Sequence, residues 1–258
     1  MAQISVQGHK IEYQRIEGAG PTLVFLHEGL GSVGQWRDFP RQVAEATGCH
    51  ALVYDRYGYG KSAVLKEKKA GVRFMHDGAL KELPKLLRKF KIEQPILVGH
   101  SDGGSIALIH AGKFPVRGVV TMAAHVTVEP FNLKSIEQIA RDFDAGGEKG
   151  GLREGLAKYH KDPAKTFHLW ADAWLDPAFL KWDIQEYLPA IKCPVLAIQG
   201  EQDQYGTMAQ MEAIKRQVGG PCELLKLADC GHSPHKDQPE KTLEAITAFV
   251  RKIIGTNA

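Results

Sequence analysis

The chain has 258 residues, 43% of them apolar and 24% charged, which suits one sizeable hydrophobic core with room for a small inserted lobe. Its 33 basic and 30 acidic side chains leave a formal net charge of +3 and are interleaved throughout, which argues against a nucleic-acid footprint. The first five residues show no basic region followed by an apolar run, no apolar stretch reaches membrane-span length, and Cys49, Cys193, Cys222 and Cys230 lack C-x-x-C spacing. A cytoplasmic protein with four mostly buried thiols is expected, with no membrane or nucleic-acid partner and no zinc site.

Along the chain, residues 4–6 and 11–13 read as two strands joined by a turn at Gly8-His9. The continuous apolar run 22–26 reads as a strand buried on both faces. Helical spacing follows over 35–47, then a buried strand at 51–54, a helix over 76–90 and a strand at 95–98. A helix over 105–111 and strands at 119–123, 194–198 and 224–227 come next, and a helix over 241–254 closes the chain. Strands alternating with helices predict an α/β fold, a mostly parallel, doubly wound sheet preceded by an antiparallel hairpin. The rhythm breaks between 128 and 187, where three helix-like stretches (134–143, 152–160 and 166–174) and the glycine-rich run 146–151 replace any strand. Residues 128–187 are therefore expected to form a helical cap on a core built from 1–127 and 188–258.

Gly99-His100-Ser101-Asp102-Gly103 stands between a strand and a helix, the setting of a nucleophile elbow. A side chain at Gly99 or Gly103 would strike neighbouring backbone in so tight a turn, and the helix amino terminus beneath Ser101 favours negative charge there. A serine hydroxyl needs a base, and His232 is the candidate among 11 histidines because it lies in a loop between the last strand and the last helix. His235 is its near rival, whereas His100 is expected only to pack. Asp203, just after the strand ending at 198, would orient the base. The chain order Ser101, Asp203, His232 differs from those of the other triad lineages.

With these residues in view, the sequence resembles the α/β-hydrolase superfamily, in particular its small serine esterase-like members with a helical cap. Five motifs carry the resemblance: 25–31 (Phe-Leu-His-Glu-Gly-Leu-Gly), 55–62 (Asp-Arg-Tyr-Gly-Tyr-Gly-Lys-Ser), the elbow, the turn from Gly200 to Asp203, and the Gly231-His232 loop. The resemblance implies an eight-stranded sheet and an oxyanion hole made by the backbone N–H groups of Asp102 and Gly29. It also brings Glu129 in as a second candidate for the acid, since some relatives carry it on that side of the cap. Many relatives have glycine where this chain has Glu28. A carboxylate beside a developing oxyanion is unhelpful, so Glu28 is expected to turn outward to Arg56 or Arg37.

The serine nucleophile implies acyl transfer to water, with no cofactor and no metal. A carboxylic ester of small to medium, apolar or aryl acyl group is the leading expectation, from a monomer or homodimer. Lactones and carbon–carbon bonds cleaved by a serine mechanism are alternatives, as is peroxyacid formation. A hydrolase-like small-ligand receptor is the alternative from a different class. The cap aromatics Phe167, Trp170, Trp174, Phe179 and Trp182 are mostly expected in the core. Glu28, His125, Trp170 and Trp174 are the candidates for substrate contact, and His168 is a further residue within reach of the cleft.

Overall fold

The computed structural model describes residues 1–66, 70–146 and 151–255. Strands β1 (Ala2–Val6) and β2 (His9–Ile16) pair antiparallel, with Val6 opposite His9. The two residues between them, Gln7 and Gly8, both have positive φ, 55° and 81°, as a tight hairpin turn requires. Next come β3 (Gly20–Leu26), α1 (Phe39–Thr47) and β4 (Cys49–Tyr54). Helices α2 (Phe74–Asp77) and α3 (Leu83–Phe90) flank a π-type stretch, Gly78–Glu82. Strand β5 (Ile96–His100), α4 (Asp102–Ala111) and β6 (Gly118–Met122) follow.

Helices α5 (Pro130–Asp144), α6 (Leu152–Ala157) and α7 (Pro163–Trp174) and two short 3₁₀ turns occupy the segment between β6 and β7. A single bridge between Thr127 and Asp183 ties its two ends. Of the glycine-rich run 146–151, positions 147–150 lie outside the described residues. The chain ends with β7 (Val195–Gly200), α8 (Met208–Gln217), β8 (Cys222–Leu227), α9 (Pro234–Asp237) and α10 (Pro239–Gly255).

The eight strands form one sheet in the order β1-β2-β4-β3-β5-β6-β7-β8, parallel from β4 onward. This is the α/β-hydrolase fold. Period two decides what each face buries. Val24 and Leu26 of β3 join Leu97, Leu83 and Ile106 on one side, while Leu23 and Phe25 join Val98, Val43 and Phe249 on the other. Both faces of the central strands are dry, so β3, β5 and β6 are apolar without alternation, whereas the edge strand β8 exposes Glu223 and Lys226.

Two expectations need correction. The helix predicted from 35 begins only at Phe39. Val33–Trp36 is a separate 3₁₀ turn, Arg37 takes φ 53°, and Pro40 sits in the first turn, where its missing N–H does no harm. Helix α8 has no counterpart in the sequence reading; Thr207 caps it by accepting from the Ala209 N–H. All four cysteines are free, with Cys49, Cys222 and Cys230 buried and Cys193 half-buried. No helix among the described residues is long and apolar enough to cross a membrane.

Candidate active site

A parallel sheet gathers the carboxyl ends of its central strands along one edge, and the loops after β3, β5, β7 and β8 converge there. Ser101 follows β5 with φ 52° and ψ −119°, a conformation that L-residues rarely adopt. Its N–H donates to Met122 O at 2.8 Å, and its own carbonyl accepts from the Gly104 N–H at 2.8 Å, so both sides of the strained turn are tied. A Cβ on Gly103 would strike the backbone of Leu26 and His27. Gly103→Ala should therefore destabilise the protein by about 3 kcal/mol or more, measured by denaturant unfolding, because the atoms in the way are main chain and cannot step aside. An unchanged unfolding midpoint would show that the turn has slack.

His232 Nε2 lies 2.9 Å from Ser101 Oγ, and His232 Nδ1 lies 2.8 and 2.9 Å from the two oxygens of Asp203. Asp203 also accepts from the Gln199 amide (2.6 Å) and from the N–H groups of Tyr205 (2.8 Å) and Gly206 (3.3 Å). Burial pushes its carboxyl up, but the hydrogen bond and charge of His232 and the Tyr205 N–H more than offset this. The result lies below the usual carboxylate range. Asp203 is therefore an anion across the working range, and it holds the proton of His232 on Nδ1. That leaves Nε2 to accept from the serine.

Glu129 is placed elsewhere. Its carboxylate binds Thr207 and Gln210, at 2.6 to 3.0 Å, and makes no bond to His232. His235, the rival base, is buried against Trp36 and Phe39, with ring centroids 4.8 and 5.5 Å apart. Desolvation holds its imidazole well below the ordinary value.

Gly29 and Asp102 both line the cavity above Ser101. The carbonyl of Glu28 accepts from Arg56 (2.8 Å), His27 Nδ1 (2.7 Å) and the Gly31 N–H (3.1 Å). A trans peptide directs its N–H opposite to its C=O, so anchoring that carbonyl aims the Gly29 N–H the other way. Arg56 thus holds the main chain of Glu28, and the expected pairing with its carboxylate is wrong. The carboxylate goes instead to His100 Nδ1 (3.3 Å) and Lys236 Nζ (3.6 Å), while Arg37 is exposed. His100, expected only to pack, donates from Nε2 to the carbonyl of His232 at 2.7 Å. A sequence cannot announce these partners, because they come from the loop after β3, the end of β5 and the segment after β8.

The cavity has a volume of about 140 Å³. Trp170 lies across Gly29, close enough that only a glycine fits there. Leu30, Ile136, Ile139 and Leu152 supply further apolar wall. Trp174 lines the cavity as well, whereas Phe167, Phe179 and Trp182 are core. His168 does not line it and pairs at the surface with Asp144 and Asp172.

One end of this cavity is polar, and of its side chains the sequence points only to His125. Asp102 was expected to offer its N–H alone, yet its carboxylate is fully buried and neither oxygen has a hydrogen-bond partner among the described residues. Burial pushes that carboxyl up to about 6, despite the Arg56 guanidinium 3.9 Å away and the nearby Trp174 indole. Asn132 also lines the cavity, with both amide atoms unpartnered. Its spacing with Ile136 and Ile139 places all three on one face of α5, a signal that was present in the sequence. His125 donates from Nε2 to Tyr205 O at 2.9 Å, and burial, followed by the nearby His232, lowers its pKa to about 4. The ring is therefore neutral and its unpartnered Nδ1 is an acceptor.

Residues 23–245 match a family described as the alpha/beta hydrolase family. The chain is 31% identical over 210 residues to mouse serine hydrolase BPHL, covering 78% of this chain and 70% of that protein. It is 24% identical to 3-oxoadipate enol-lactonase 1 of Acinetobacter baylyi, over 90% of each chain. Among solved structures, a thermophilic esterase from Thermogutta terrifontis superposes with a TM-score of 0.73 at 20% identity, over 98% of each chain. The proline iminopeptidase of Mycobacterium smegmatis superposes with a TM-score of 0.75 at 15% identity, over 100% of this chain and 99% of that one.

Proposed function

The chain belongs to the alpha/beta hydrolase family, and from that premise we propose that it is a serine hydrolase cleaving carboxylic esters with a compact acyl group. The observation that carries this reading is the unbroken hydrogen-bonded series from Asp203 through His232 to Ser101, with steps of 2.8 and 2.9 Å. Ser101 Oγ attacks the ester carbonyl while His232 Nε2 takes its proton. Negative charge then develops on the carbonyl oxygen, and the N–H groups of Asp102 and Gly29 stabilise it, each by about 3–4 kcal/mol. His232 returns its proton to the leaving alcohol as the C–O bond breaks. A water, deprotonated by His232 in turn, hydrolyses the acyl-enzyme and restores Ser101.

Two features support a narrower substrate class. A cavity of about 150 Å³ accommodates benzene, so the 140 Å³ here suits an acyl part of about six heavy atoms. Two residues of its polar end, Asp102 and His125, carry buried acceptors without partners among the described residues, the carboxylate and Nδ1, beside an apolar wall. That combination favours an acyl group bearing an N–H donor, best a cation, over a plain alkyl chain. A lactone is a cyclic ester and undergoes the same steps, so small lactones belong in the same screen.

The test is hydrolysis of p-nitrophenyl esters of increasing acyl length, with a 2-amino counterpart at the best length. Turnover should peak at propionyl to butyryl, fall by octanoyl, and rise about tenfold or more with the amine, as expected for a charge-assisted hydrogen bond. A flat length profile would overturn the compact pocket. An amine that brings no gain would overturn the role of its polar end.

A further inference from the structure

Beside the Asp203–His232 pair lies a second carboxylate–imidazole pair that the reaction steps above leave unused. His100 is the last residue of β5, immediately before Ser101, and only 1% of its side chain is exposed. Its Nε2 meets the main-chain oxygen of His232 at 2.7 Å. A carbonyl only accepts, so Nε2 carries a hydrogen. Its Nδ1 faces Glu28 Oε2 at 3.3 Å, while the other carboxylate oxygen of Glu28 lies 3.6 Å from Lys236 in α9, just beyond His232. Burial pushes the Glu28 carboxyl up, but the hydrogen bond and charge of His100 and the charge of Lys236 prevail and keep it well below the ordinary range. The ring thus donates from Nε2 to the histidine loop, with its Nδ1 side held against the Glu28 carboxylate.

We propose that Glu28 and His100 are positioning residues, a strut that holds the main chain of His232 so that its ring stays in line between Asp203 and Ser101. This inference rests on the serine-hydrolase reading for its consequence in catalysis, though not for its geometry. The loop after β8 has no strand neighbour beyond it to hold it, since β8 is the edge of the sheet. Fixing the carbonyl of residue 232 fixes a peptide plane next to the Cα that carries the imidazole. A displacement of about 1 Å in a catalytic group lowers the rate about 100-fold. The strut also answers why a carboxylate is tolerated in the oxyanion loop: its charge is spent on His100 and Lys236, and the Gly29 N–H remains for the substrate.

The experiment compares His100→Phe, which keeps an aromatic ring and removes the Nε2 donor, with His100→Gln, which restores an amide donor near the position of Nε2. His100→Phe should lower kcat for the best p-nitrophenyl ester about 100-fold with KM within twofold, and His100→Gln should recover all but about fivefold. Equal loss in both variants, a loss seen mainly in KM, or no loss would each overturn the strut. Should His100→Phe fail to fold, Glu28→Ala against Glu28→Gln makes the same comparison, since glutamine can still bond Nδ1 of a neutral imidazole. A second readout needs no substrate: in ¹⁵N-histidine protein, the ring signals of His232 should shift and broaden in His100→Phe and return in His100→Gln. If the native protein turns over no ester and Ser101 resists fluorophosphonate labelling, the hydrolase reading falls alone. Unchanged His232 signals would then overturn the strut independently.

Discussion

Ser101→Ala is expected to lower kcat by about a millionfold on the best p-nitrophenyl ester, and Asp203→Asn by about ten-thousandfold, with KM little changed in either. The serine supplies the atom that forms the new bond, so nothing else in the cavity can substitute for it. The effect of the amide at 203 follows from its neighbours. Gln199 already donates to one carboxylate oxygen, and the Tyr205 and Gly206 N–H groups donate to the other. An amide NH₂ placed at either oxygen would set a donor against a donor, or turn toward His232 and drive its proton from Nδ1 to Nε2. Either way, Nε2 no longer accepts from Ser101. Glu129→Gln is the control, with kcat expected within about threefold of native because that side chain serves Thr207 and Gln210. Stopped-flow and steady-state assays on purified variants make the comparison. A large loss in Glu129→Gln with little in Asp203→Asn would move the acid to the other strand.

Asp102→Asn should make the protein more stable and less selective. Burial holds the Asp102 carboxyl at about 6 in the folded chain, against 3.8 when free. Below pH 3.8 both states are protonated and the group has no effect. Between pH 3.8 and 6 the unfolded chain loses its proton first, so stability falls as pH rises. Above pH 6 the folded protein bears the full cost of an ionised buried carboxylate, about 3 kcal/mol. Asparagine mimics the protonated acid. At pH 8 it should therefore raise Tm by roughly 5 to 10 °C, and at pH 4 the gain should vanish. The same substitution should remove the advantage of an amine-bearing ester over its plain alkyl counterpart, about tenfold or more. Thermal unfolding at the two pH values and paired kinetics on the two esters test both halves. A Tm at pH 8 equal to or below that of the native protein would mean that the carboxylate is already well satisfied without substrate. Stability given up at a functional site is a common trade in enzymes.

The parts of this protein legible in the sequence are those recorded within a few residues of one another. The apolar run of β3 announces burial on both faces, and the elbow glycines announce a turn in which a Cβ cannot fit. Asp203 and His232 stand out because each directly follows a strand, and a parallel sheet delivers strand ends to one edge. The topology thus turns three local signals into one site. Helix α8 escaped because its buried positions, Gln210, Met211, Ala213 and Ile214, include a polar residue and no bulky run. Gln210 is buried because its amide bonds Val126, Thr127 and Glu129, far away in the chain.

Local order along the chain determined the strand sequence and singled out Ser101, His232 and Asp203 as the candidates for nucleophile, base and acid, since backbone period and turn stereochemistry act over short separations. Only the tertiary structure decided that Glu28 faces His100 and Lys236, that the Asp102 carboxylate is buried without a hydrogen-bond partner among the described residues, and that His125 has a bare Nδ1. Charge, protonation and hydrogen-bond roles depend on which groups are desolvated together, and here those groups come from loops of different strands meeting at one edge of the sheet.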